Sequence, residues 1–124
     1  MGNKYQISDA EWIIMKVIWA QGPLTASEII DIIAATNDWA PKTIKTLLNR
    51  LVSKAVLGFT KEGRSYRYHA EVSAEETIQE ENKSFLDKIY SGNFSNMLAS
   101  FVEQNDFSDE DLEMFKQILE GKKS

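Results

Sequence analysis

The chain has 124 residues, a net charge of −5 at pH 7, 43% hydrophobic residues, one histidine and no cysteine. That length allows one or two small domains with a real core, while the missing cysteine removes disulfides, thiolate metal sites and cysteine nucleophiles. A single histidine leaves zinc chemistry and a histidine relay poorly supplied, so neither a cofactor nor an enzymatic activity is expected.

No apolar run reaches the ~18 residues of a spanning helix, and the N-terminus lacks the basic flank and apolar stretch of a secretory signal. A cytoplasmic location without membrane insertion is the expectation. Charge is unevenly spread: residues 1–72 carry nine Lys/Arg against seven Asp/Glu, or +2, and residues 73–124 carry five against twelve, or −7.

Ser8 and Glu11 form a capping-box pattern, which predicts a helix over 9–20 that stops at Gly22-Pro23. Its Trp12, Ile13, Ile14, Met15, Val17, Ile18 and Trp19 leave only a narrow polar strip, so it should be the central, multiply buried helix of the head. Thr25 and Glu28 start a second helix over 26–35 with Ile29, Ile30, Ile32 and Ile33, followed by a polar turn and Trp39. Pro41 opens a third helix, where its missing N–H costs nothing.

At about 100° per residue this third helix places Ile44, Leu47, Leu48, Leu51 and Val52 on one side. Lys42, Thr43, Lys45, Thr46, Asn49, Arg50, Ser53 and Lys54 lie opposite, with no carboxylate. Cations that neutralise phosphate, together with short hydrogen-bonding side chains that reach base edges, match a DNA major groove. The competing reading is an ordinary solvated helix face, which normally mixes signs. Two short helices and a tight polar turn describe a helix-turn-helix.

Strands over 57–61 and 65–70 then flank Glu62-Gly63-Arg64, with Tyr66 and Tyr68 on one face and Arg67 and His69 on the other; this hairpin completes a winged helix. Lys61, Arg64 and Arg67 make it a candidate phosphate contact. Seven basic residues lie within 42–67 against Glu62 alone.

Ser73 and Glu76 open a wholly helical region over 74–90, 94–104 and 109–120, the last ending before Gly121. Phe85, Ile89, Phe94, Met97, Leu98, Phe101 and Val102, then Leu112, Phe115, Ile118 and Leu119, form apolar stripes that about 50 residues are too few to enclose. Burial against a second copy is the simplest solution, with packing onto the chain's own head as the alternative. The expected fold is mainly α: a winged-helix DNA-binding domain over 1–72 and a helical dimerisation domain over 73–124. His69 reads as a wing residue, Glu75, Glu76, Glu80 and Glu81 as solvated helix-start acids, and Trp12, Trp19 and Trp39 as packing rather than a ligand pocket.

Ile7-Ser8-Asp9-Ala10-Glu11-Trp12, then Met15, Val17, Ile18 and Trp19, and the run from Trp39-Ala40-Pro41-Lys42-Thr43-Ile44 to Arg50-Leu51 resemble the penicillinase-repressor family (BlaI/MecI), which also contains copper-transport repressors. The likeness continues into Tyr90-Ser91-Gly92-Asn93-Phe94 and Phe101-Val102-Glu103. It implies a dimeric repressor on double-stranded operator DNA with an inverted repeat.

Ala40 stands where the family usually has Ser, which removes a side-chain N-cap. The cysteine cluster of the copper-responsive relatives is missing, so the antibiotic-responsive branch fits better. In that branch the resemblance implies derepression by proteolysis: a membrane sensor with a cytosolic protease leads to a cut that maps to the Ser100–Phe101 bond, although Ser replaces the family's Asn. Release by a small effector and a winged-helix protein-interaction module remain the other readings.

Overall fold

Ser8 accepts a hydrogen bond from the Glu11 amide while the Glu11 carboxylate accepts from the Ser8 amide, and this reciprocal cap starts α1, Asp9–Gln21. A Cβ at Gly22 would stand 2.6 Å from the Ile18 carbonyl oxygen, so the chain can leave the helix there only as glycine. Thr25 and Glu28 repeat the box at the start of α2, Ala26–Ala34. The computed structural model describes residues 5–123; residues 1–4, part of the stretch read against a secretory signal, and Ser124 lie outside them.

Between these helices Leu24–Thr25 form a short strand, β1, which the sequence did not reveal. It pairs antiparallel with β3, Ser65–Ala70, and β3 pairs with β2, Leu57–Glu62, giving a three-stranded sheet of order β1-β3-β2. Gly63 supplies the positive φ of +60° that turns β2 into β3.

The third helix, α3, spans Pro41–Ser53 and buries Ile44, Leu47, Leu48 and Leu51. They meet Ile14, Met15 and Ile18 of α1, Ile29 and Ile33 of α2, and Leu57 and Tyr68 of the sheet in one core. Each such side chain contributes roughly 1.5–3 kcal/mol on burial. Trp12 and Trp19 pack on its rim with ring centroids 5.6 Å apart, and the Trp19 indole donates to the Val72 carbonyl. These two tryptophans are packing residues.

A charged pair is built into this core. Glu11 is 1% exposed, and its Oε1 accepts from Lys54 Nζ at 2.6 Å and from the Ser8 amide at 2.7 Å. Lys54 also donates to the Gln6 carbonyl. Glu11 Oε2 is buried with no donor among the described residues, so the compensation they provide falls on the other oxygen. Burial acts to raise the Glu11 pKa, but the hydrogen bonds from Lys54 and Ser8 outweigh it and hold the carboxyl below its ordinary value.

The remaining helices are α4, Ala74–Tyr90, α5, Phe94–Gln104, and α6, Asp109–Lys123. Ser73 Oγ accepts from the Glu76 amide, Asn93 caps α5 through the Asn96 amide, and Ser108 with Asp111 forms a further reciprocal cap at α6. The sequence predicts that Gly121 ends the last helix at 120; instead α6 runs through it. A helical glycine costs only about 1 kcal/mol, and no neighbouring atom forces a turn there.

The chain divides into compact units 1–84 and 85–124. Within the second, Phe85 and Phe101 lie 6.4 Å apart and Phe107 and Phe115 5.3 Å apart. Ile89, Phe94, Leu98, Phe101, Leu112, Phe115 and Leu119 are all exposed, while Met97 is half-buried. Among the described residues no helix is long and apolar enough to cross a membrane.

Lys54→Met should strand the Glu11 carboxylate and destabilise the chain by about 2–3 kcal/mol, less than for a fully buried pair because the Lys54 side chain is 32% exposed. The folded pKa of Glu11 lies below its unfolded value, so its contribution is complete above the ordinary glutamate range and disappears as pH falls through the folded value. Thermal melts should therefore show the Lys54→Met deficit at pH 7 shrinking as pH falls and the stranded Glu11 carboxyl takes up a proton. A deficit independent of pH would contradict this assignment.

Candidate nucleic-acid interface

The buried stripe of α3 forces its other side outward. Lys42, Thr43, Lys45, Thr46, Asn49 and Arg50 are all exposed there. Lys42, Thr43, Thr46 and Arg50 line one shallow groove along the helix. Lys45 and Asn49 fall on the side toward the hairpin, where they share a cleft with Arg64. The Thr46 hydroxyl donates to the Lys42 carbonyl at 3.0 Å, so its lone pairs and methyl group remain for contacts outside the helix.

Two of the seven basic residues in this region have partners. Lys54, placed on the cationic face by helical periodicity, turns from the end of α3 to the buried Glu11, because an uncompensated internal carboxylate draws the nearest ammonium. Arg67 extends from β3 to Glu62 at 2.6 Å and to Glu28 at 3.5 Å, and it also reaches the Pro23 carbonyl. The hydrogen bond and charge of Glu62, followed by the charge of Glu28, raise the Arg67 pKa. Glu28 is held low chiefly by its hydrogen bonds from Thr25, with Arg67 adding to them.

Lys42, Lys45, Arg50, Lys61 and Arg64 have no ion pair among the described residues. The structure thus sorts the cations into two that hold the head together and five that face out. His69 pairs with Glu71 on the same side of the hairpin as Arg67, and among the described residues no cluster of side chains is arranged to hold a metal ion.

Both ends of α3 are imperfect by helix chemistry. Ala40 occupies the N-cap with extended φ and ψ of −68° and 147° but offers no side-chain acceptor. At the other end the Val56 amide donates to Leu51 and the Ala55 amide to Val52, a Schellman arrangement that needs a left-handed residue; Ala55 serves at φ +62°. The stretch read as helical, 41–54, ends with this cap, although no glycine marks the stop. Tyr66 and Ser27 line the cleft beside Lys45 and Arg64, a role that no local signal in the sequence marks.

Three short helices with a hairpin beside the third are a winged helix-turn-helix, a class of DNA-binding fold. A family model described as penicillinase repressor matches residues 7–121. The methicillin resistance regulatory protein MecI of Staphylococcus aureus is 37% identical over 123 residues, covering 98% of this chain and all of that protein. The penicillinase repressor of Bacillus licheniformis is 39% identical over 119 residues, covering 96% and 93% of the two chains. The solution structure of monomeric B. licheniformis BlaI in complex with the blaP half-operator matches with a TM-score of 0.53 and 41% identity, over 61% of this chain and 93% of that one. The chain belongs to the penicillinase-repressor family.

Ala40→Ser and Ala55→Gly should each stabilise α3, by about 1 kcal/mol and about 0.5–1 kcal/mol respectively. The sites are a helix length apart, so the double variant should show nearly the sum in chemical denaturation. No gain from either substitution would show that the ends of α3 are satisfied by other means.

Proposed function

We propose that this chain is a transcriptional repressor that binds an inverted-repeat operator as a homodimer, with α3 in the major groove and the hairpin wing on the phosphate backbone. The observation that carries this reading is the outer face of α3: Lys42, Lys45 and Arg50 without an ion pair among the described residues, together with Thr43, Thr46 and Asn49 and no carboxylate, directly opposite a buried stripe. Lys42, Thr43, Thr46 and Arg50 are assigned to base edges and adjoining phosphates, and Lys45, Asn49, Lys61 and Arg64 to the backbone. Arg67 is assigned mainly to holding the wing, since Glu62 and Glu28 already compensate its charge. Half-operator binding by BlaI, at 41% identity, supports the same use of this head.

The exposed apolar residues of α4, α5 and α6 are assigned to a second copy of the chain. A dimer presents its second head at high effective concentration, so avidity exceeds single-head affinity by ~10²–10⁴. Severing the tail then releases DNA. Cleavage between Ser100 and Phe101, reached through a membrane sensor-protease pathway, is the proposed switch. The bond lies inside α5 with Ser100 half-buried and Phe101 44% exposed, so a protease requires local opening of that helix.

The test uses a duplex selected by the full chain from a randomised pool. Arg50→Ala should weaken binding by ~1–3 kcal/mol without changing the melting temperature. Arg64→Ala should lower the salt slope by about one, whereas Arg67→Ala should leave it nearly unchanged. A 1–100 fragment should sediment as a monomer and lose at least ~10²-fold in affinity. A fragment that stays dimeric and fully bound would remove the proteolytic switch and favour release by a small effector.

A further inference from the structure

Tyr66 stands on the face of the wing that also carries Phe59 and Tyr68, opposite Lys61 in the strand register. Its ring meets Phe59 edge-on with centroids 4.7 Å apart, which fixes its orientation. Yet Tyr66 is 44% exposed, and its hydroxyl has no hydrogen-bond partner among the described residues. It borders a cleft of 380 Å³ whose other walls include Ser27 of α2, Lys45 and Asn49 of α3, and Arg64 of the wing turn.

The chemistry of this cleft is one-sided. Lys45 and Arg64 have no ion pair among the described residues, no carboxylate lines the space, and Ser27, Asn49 and Tyr66 add neutral donors from three different elements. Two cations and several hydroxyl or amide donors around one opening match a tetrahedral anion with several acceptor oxygens. Free cations continue on either side, with Lys42 and Arg50 farther around α3 and Lys61 on the wing, so a polyanionic strand fits better than an isolated ion.

We propose that the cleft seats one phosphate group of the DNA backbone, neutralised by Lys45 and Arg64 and hydrogen-bonded by the Tyr66 hydroxyl. This rests on the DNA-binding reading above and deepens it. The seat joins α3 to the wing through a single backbone position and so fixes the register of α3 in its groove. Free inorganic phosphate shares the chemistry and is the competing source of the anion.

Tyr66→Phe keeps the ring that packs on Phe59 and removes only the hydroxyl. In the full chain, on the selected duplex, it should weaken binding about five- to tenfold with an unchanged salt slope. Because both cations serve one phosphate, the Lys45→Ala/Arg64→Ala double variant should lower the slope by about one rather than two. Methylphosphonate linkages introduced singly along the duplex should reveal one position at which parent, Tyr66→Phe, Lys45→Ala and Arg64→Ala bind alike.

Binding of Tyr66→Phe within twofold of the parent, or a different methylphosphonate position for each variant, would overturn the seat while leaving DNA recognition intact. A full chain that selects no duplex would overturn both readings. Inorganic phosphate should give no saturable amide shifts at Ser27, Lys45 and Arg64 while the duplex is bound. Saturable shifts in that complex would assign the cleft to the free ion and overturn the backbone seat.

Discussion

The head depends on the azimuth of α3. Ile44, Leu48 and Leu51 are fully buried, and rotating the helix by one residue's turn of about 100° would expose them and drive charged side chains inward. Burial of three such residues outweighs any preference of the outer face, at roughly 1.5–3 kcal/mol each. Apolar packing therefore aims Lys42, Lys45, Thr46, Asn49 and Arg50 outward, although none of these contributes to the core. Stability and the proposed recognition surface reside in opposite halves of one helix.

The same economy governs the cations. Lys54 compensates a carboxylate that the N-cap of α1 brings inside, so one lysine links the start of α1, the Gln6 carbonyl and the end of α3. Arg67 performs a comparable task on the surface, joining the wing to the start of α2 through Glu62 and Glu28. Exposed ion pairs contribute little individually. Here three acceptors converge on one guanidinium, which favours a defined orientation of the wing relative to α2. The five other basic side chains of residues 42–67 have no ion pair among the described residues, as the proposed contact with phosphate requires.

Most of the fold was legible because each main element carries its own local signal. The reciprocal caps at Ser8 and Thr25, Pro41 at a helix start, and the alternation of Tyr66 and Tyr68 with Arg67 and His69 need no distant partner to be read. What escaped depends on distant partners or on unmarked geometry. Leu24–Thr25 is too short for alternation and becomes a strand only by pairing with β3. Helical spacing puts Lys54 on the cationic face, but Glu11 lies 43 residues away in sequence. Ala55 adopts a glycine-like φ without being glycine, whereas Gly121 remains helical. The cleft residues Ser27 and Tyr66 belong to elements that only the tertiary fold brings beside Lys45.

Exposed aromatic and aliphatic side chains along α4, α5 and α6 contrast with the closed core of the head, where Ile14, Ile29, Ile44 and Leu48 reach 0% exposure. An apolar surface of that kind is a constraint on assembly, because water opposes leaving it uncovered. The proposed division between a head that reads DNA and a tail that pairs two heads is tested most directly by stoichiometry. Sedimentation velocity of the full chain, titrated onto an inverted-repeat duplex, should give a complex of two chains per duplex, with no substantial one-chain complex when duplex is in excess. A one-chain complex that persists with excess duplex would contradict the account.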